Sequence, residues 1–164
     1  MHETGRLRRL IDGLSKLPSP VRSEAITALM RSVVPFVGTA RVKIVEMTSE
    51  RVRVTVGNRR CVRNHIGGVH AAAMALAAET ATGFVVAMNL PDSRVPVIKS
   101  MQVQYKKRLK GALHVDAWLT QEQRDEMATQ DKGEVTVGVR AHDDEGQEPV
   151  VCEMVWAWVP KKRP

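Results

Sequence analysis

The chain of 164 residues reads as an α+β protein, a largely antiparallel, curved sheet wrapped around one long central helix, with two extra helices at its N-terminus. Three observations predict this. Six segments alternate apolar and polar residues with a period of two, the mark of strands with one wet face. One stretch, roughly residues 69–88, is apolar nearly all round and must be buried. The connections are short, so neighbouring strands run antiparallel.

The elements follow in order. Leu7, Leu10, Ile11, Leu14 and Leu17 recur at helical spacing until Pro18-Ser19-Pro20 breaks the pattern. Ala25, Ile26, Leu29, Met30, Val33 and Val34 predict a second helix, stopped near Pro35. Residues 1–35 thus form an N-terminal helical extension, and 36–164 the main body of what is overall one structural domain. Val42 and Ile44, then Val52, Val54 and Val56, alternate with polar neighbours across Thr48-Ser49-Glu50 and read as a hairpin. Four further strands are predicted near 96–107, 112–120, 133–142 and 149–159, the last two joined by a turn over 143–149. The helix over 69–88 has roughly the length of a membrane span. It is mostly alanine, however, and carries His70 and Glu79, and amphipathic strands surround it. A core helix is the better reading, because small side chains let a curved sheet approach closely.

The apolar fraction of 43% suits a packed domain. Residues 1–10 lack an apolar leader segment, and the two cysteines, Cys61 and Cys152, are too few for a disulfide framework. A reducing cytoplasm is the expected setting. Cys61 reads as a buried structural thiol rather than a nucleophile. No Cys/His spacing suggests a metal, and no membrane partner is expected. The net charge of +7 fits an anionic ligand; nucleic acid is not the expected partner.

The distinctive stretch is Asn64-His65-Ile66-Gly67-Gly68-Val69-His70-Ala71-Ala72, followed seven residues later by Glu79. It resembles the signature Asn-Pro-x-Gly-x-x-His-Gly-Gly, with an acid seven residues on, of hotdog-fold acyl-CoA thioesterases of the phenylacetyl-CoA and 4-hydroxybenzoyl-CoA type. His65 stands where proline is usual, and Ala71-Ala72 where Gly-Gly is usual. The resemblance covers about residues 36–160 and reaches a branch of hotdog domains that is largely uncharacterised. It implies hydrolysis of an acyl-CoA thioester, with coenzyme A as part of the substrate and no separate cofactor. The backbone N–H of Ala71 is the implied oxyanion donor.

Physical chemistry fills in the roles. The start of the helix offers free N–H groups, expected at Gly68, Val69, His70 and Ala71, at the positive end of the helix dipole. Glu79 is the candidate general base or nucleophile, and burial should raise its pKa. Asn64 would orient water or the thioester, and His70 would shape the oxyanion site. Eight residues separate Ala71 from Glu79, about 12 Å along a helix, so one protomer's acid cannot serve its own helix start. A catalytic Glu79 therefore calls for a homodimer, as the resemblance also implies; whether dimers pair into a homotetramer stays open. Two basic clusters, Arg60 and Arg63 before the motif and Lys106, Lys107 and Arg108 after the third strand, would hold the phosphates of coenzyme A. The alternative is a non-catalytic acyl-CoA- or lipid-binding hotdog protein, which would keep the fold and the basic rim without turnover.

Overall fold

A computed structural model describes residues 4–161. Six antiparallel strands lie in the order β1-β2-β4-β5-β6-β3, with β1 Lys43–Met47, β2 Arg51–Val56, β3 Arg94–Tyr105, β4 Leu113–Trp118, β5 Gly133–Asp143 and β6 Val150–Pro160. The central helix α4, Ala71–Ala87, lies against this curved sheet and touches five of its six strands. This is the α+β hotdog arrangement expected from the alternating strands and the apolar helix.

The curvature has a visible origin in β5. Gly138–Asp143 of this strand pair with β4, whereas Gly133–Val137 pair with β6. One strand therefore belongs to two halves of the sheet and turns between them. Alanines in α4 match that curve: Ala77, Ala78 and Ala81 are fully buried where the sheet closes on the helix. Gly83 allows a close approach, since a Cβ there would lie 2.7 Å from the indole ring of Trp156. The ring is anchored, its Nε1 donating to Thr82 Oγ1 at 2.9 Å. Overpacking a core costs roughly 1–3 kcal/mol, against about 1 kcal/mol of helix propensity that alanine would add. Gly83→Ala is therefore expected to lower stability by up to about 2 kcal/mol, read as a lower urea midpoint; an unchanged midpoint would show that the indole can withdraw.

The N-terminal region departs from the expected pair of helices. Three are present: α1 Arg6–Gly13, α2 Ser19–Val33 and α3 Pro35–Thr39. Both proline signals mark the ends of the preceding helices, as expected, and each also starts the next one, because proline fits the first turn, where no N–H is needed. Ile11, Ile26, Met30 and Val37 from these helices join the same core as the sheet. α2 also caps the edge of β1: Thr27 Oγ1 accepts from Ile44 N at 2.9 Å, Ser23 Oγ donates to Ile44 O at 2.7 Å, and Arg31 donates to Val42 O at 3.2 Å. The opposite edge of the sheet, β3, carries no such cover among the described residues. A fifth helix, α5 Gln121–Thr129, interrupts what the sequence suggested was a plain connection between β4 and β5. No helix of the described residues is long and apolar enough to cross a membrane.

Candidate active site

The loop before α4 is built by its own side chains. Asn64 Oδ1 accepts from the amides of Ile66 (3.1 Å) and Gly68 (3.0 Å), while Asn64 N donates to Gly68 O at 2.9 Å. Gly67 completes the turn with φ of +77°, a conformation suited to glycine. Arg63 and Val69 form an isolated bridge, with His70 N donating to Val62 O at 2.7 Å. The chain leaves this bridge extended (His70 ψ 142°), and the helix begins at Ala71, two residues later than periodicity suggested.

His70 is the helix cap: its Nδ1 accepts from Ala72 N at 3.0 Å. Of the four amides expected to be free, two are therefore taken, Gly68 by Asn64 and His70 by Val62. The N–H groups of Val69 and Ala71 have no hydrogen-bond acceptor among the described residues. Val69 is buried and Ala71 is half-buried. The Gly68 N–H and the side-chain oxygen of Asn64 thus hold the loop, and a donor already bonded to Asn64 offers nothing to a substrate oxygen. Ala71 is left as the amide best placed to receive an anion, at the positive end of a 17-residue helix.

Tyr105 was legible in the sequence only as a strand residue, yet its hydroxyl donates to Ala71 O at 2.8 Å and ties the end of β3 to the first turn of α4. Arg108 donates to Ile66 O at 3.2 Å. On the other side of the loop, Asn58 Nδ2 donates to Gly67 O at 3.0 Å, and Arg63 Nε holds Asn58 Oδ1 at 2.9 Å. The two basic clusters therefore flank one loop. Arg60 and Lys106 are exposed, with no side-chain hydrogen bond or ion pair among the described residues, and Lys107 Nζ donates to Gln147 Oε1 at 2.9 Å. Cys61 is exposed, in contrast to the buried thiol expected; it sits in the single turn Arg60–Val62, where Val62 takes the inward position. Cys152 is the half-buried thiol, pushed up to about 11 by burial.

Glu79 lies two turns along α4 in a half-exposed stripe formed with Ala72, Ala75 and Leu76, at the spacing of one helix face. It makes no ion pair among the described residues. Burial holds its carboxyl above the ordinary value of 4.5, partly opposed by the adjacent Thr80 hydroxyl. Thr80 Oγ1 itself is buried and lacks a hydrogen-bond partner of normal geometry among the described residues. Between 4.5 and the raised value the native protein holds a proton that the unfolded chain has released, so this residue's contribution to stability falls as pH rises. Glu79→Gln is accordingly expected to melt above the wild type at neutral pH, with the difference fading as pH drops through the raised value towards 4.5. A wild type that melts as high as the variant at pH 7 would contradict this.

The chain matches a family model described as a domain of unknown function, DUF4442, over residues 22–159. The match begins inside α2, earlier than the resemblance in sequence. No curated protein matches the chain. Solved structures do. PA5026 of Pseudomonas aeruginosa, designated a probable thioesterase, is 21% identical with a TM-score of 0.74, covering 88% of this chain and 97% of its own. The thioesterase HI1161 of Haemophilus influenzae is 13% identical with a TM-score of 0.66, covering 84% of this chain and 90% of its own. Both share the sheet wrapped on a helix, and with the family match spanning most of the sequence the chain belongs to the DUF4442 family, built on the hotdog fold.

Proposed function

We propose that the protein hydrolyses an acyl-CoA thioester, with the Ala71 amide as oxyanion donor and Glu79 of a second copy as general base or nucleophile. The observation that carries this reading is the pair formed by an unbonded amide at the start of α4 and an unpaired, half-buried acid on the same helix. Thioester cleavage needs both: a donor for the negative charge that develops on the carbonyl oxygen, and a group that activates water or attacks directly. The fold neighbours designated thioesterases add weight.

A single chain keeps the two groups about 12 Å apart along α4. The open edge of β3 supplies the remedy. Alternate residues along this 12-residue strand present unpaired backbone groups on the side away from β6, whereas α2 covers the edge of β1. Antiparallel pairing of two β3 strands about a two-fold axis would join the sheets and set the two α4 helices side by side in opposite directions. Each Glu79 would then face the other copy's helix start, and the stripe of Ala72, Ala75 and Leu76 would be covered. Arg60, Arg63, Lys106, Lys107 and Arg108 form a rim suited to the phosphates of coenzyme A.

A binding protein without turnover is the second reading, favoured by Ala71-Ala72, whose methyl groups crowd the carbonyl site. Release of free thiol from short, long and aryl acyl-CoAs separates the two. Turnover on at least one class is expected. Saturable binding of coenzyme A thioesters with no thiol release from any of them would leave the binding protein.

A further inference from the structure

The N-terminal helices enclose, with the Glu79 side of α4, a groove of about 340 Å³ that the sequence did not foreshadow. Its wall is one face of α4: Glu79, Thr80, Gly83, Phe84 and Ala87, which recur three or four residues apart. Trp156 and Pro96 contribute from β6 and β3, and Leu7, Val33 and Val34 close it from α1, α2 and the link to α3. Polar atoms gather at one end only, on Glu79 and Thr80. Beyond them the lining is apolar as far as Ala87.

We propose that this groove holds the acyl chain of the substrate and selects a straight aliphatic chain of about ten carbons, with α1–α3 as the selecting wall. The proposal rests on the thioester reading for the position of the carbonyl, which would lie beside Glu79 at the second copy's helix start. From Glu79 to Ala87 is eight residues, about 12 Å along the helix axis. An extended chain advances about 1.2 Å per bond, so about ten carbons reach Ala87. A 4-hydroxyaryl group would stop short of that end and leave its hydroxyl unpaired against apolar side chains, which is costly. The volume lies at the small end of the roughly 300–1,000 Å³ of small-molecule sites, in keeping with a single chain.

Two variants test the groove. Ala87→Phe places a ring at the far end, and Val33→Glu places a charge at the rim, where Val33 is 63% exposed and the change leaves the core intact. S-decyl-CoA and S-butyl-CoA, thioethers that cannot be hydrolysed, are titrated calorimetrically into the full chain. The decyl compound is expected to bind the wild type at least tenfold more tightly than the butyl compound. Ala87→Phe should cut that preference at least tenfold, and Val33→Glu should reduce it in the same direction. Equal affinity for the two thioethers in the wild type, or a preference that neither variant moves, overturns the proposal. Thiol release from decanoyl-CoA reads the hydrolysis separately. Length-dependent binding that the variants shift, without turnover, supports the groove and retires the hydrolase; turnover with an unmoved length preference does the reverse.

Discussion

Glu79→Ala is expected to lower kcat for thiol release by about 10²–10⁴, the span associated with loss of a general base, with little change in KM. The split follows from what the carboxylate does. In the proposed reaction it takes up a proton, or attacks, only as the thioester reacts, so its removal would weaken the transition state without loosening the ground state. The fold should survive, because Glu79 holds no ion pair among the described residues and its desolvation works against the folded state at neutral pH. Glu79→Gln preserves the shape and should be as slow as the alanine variant. In the active protein, kcat should rise with pH through an apparent pKa above 4.5, as the raised carboxyl ionises. Stopped assays across pH check both points; a variant within threefold of the wild type would remove Glu79 from the chemistry.

Ala71→Pro is expected to cost about 10²–10³ in kcat, the scale of losing one oxyanion donor. Proline deletes the N–H and nothing else of consequence here. Ala71 is the first residue of α4, where proline's fixed φ is compatible with the helix and no intrahelical hydrogen bond is lost. The preceding residue must be extended, and His70 already is, with φ −64° and ψ 142°. The His70 cap uses the amide of Ala72, which stays. Circular dichroism and the melting temperature should therefore match the wild type while turnover drops. Retained activity would mean that the carbonyl oxygen is stabilised elsewhere.

Much of this architecture was legible from periodicity. The alternation of Val52, Val54 and Val56 puts all three in the core, and the nearly uniform apolarity of α4 identifies the central helix. The helix start was legible in outline from the glycines and His70. What pattern could not convey was which amides remain free, since that depends on Asn64 folding back on Gly68 and on a two-residue bridge between Arg63 and Val69. α5 escaped a reading based on apolar spacing because only Met127 in it is buried. Its signal was the capping box, with Thr120 and Gln123 bonding each other's backbone. Cys61 shows the limit of residue-type averages, for in a one-turn helix the neighbouring Val62 takes the buried place. The groove beside Glu79 could not be read at all, because it joins residues from α1 to β6 that only the tertiary fold brings together.

In the proposed mechanism each reacting centre draws Glu79 and the Ala71 amide from two different copies. Mixing denatured Glu79→Ala and Ala71→Pro chains in equal amounts and refolding them together tests it directly. Each variant alone is expected to be nearly inactive. In a mixed dimer, one of the two sites would pair the intact Glu79 of one chain with the intact Ala71 of the other. Half the dimers are mixed and half of their sites are whole, so about a quarter of wild-type activity should return. Recovery near that level supports a shared site, and a refolded mixture no more active than its two parents contradicts it.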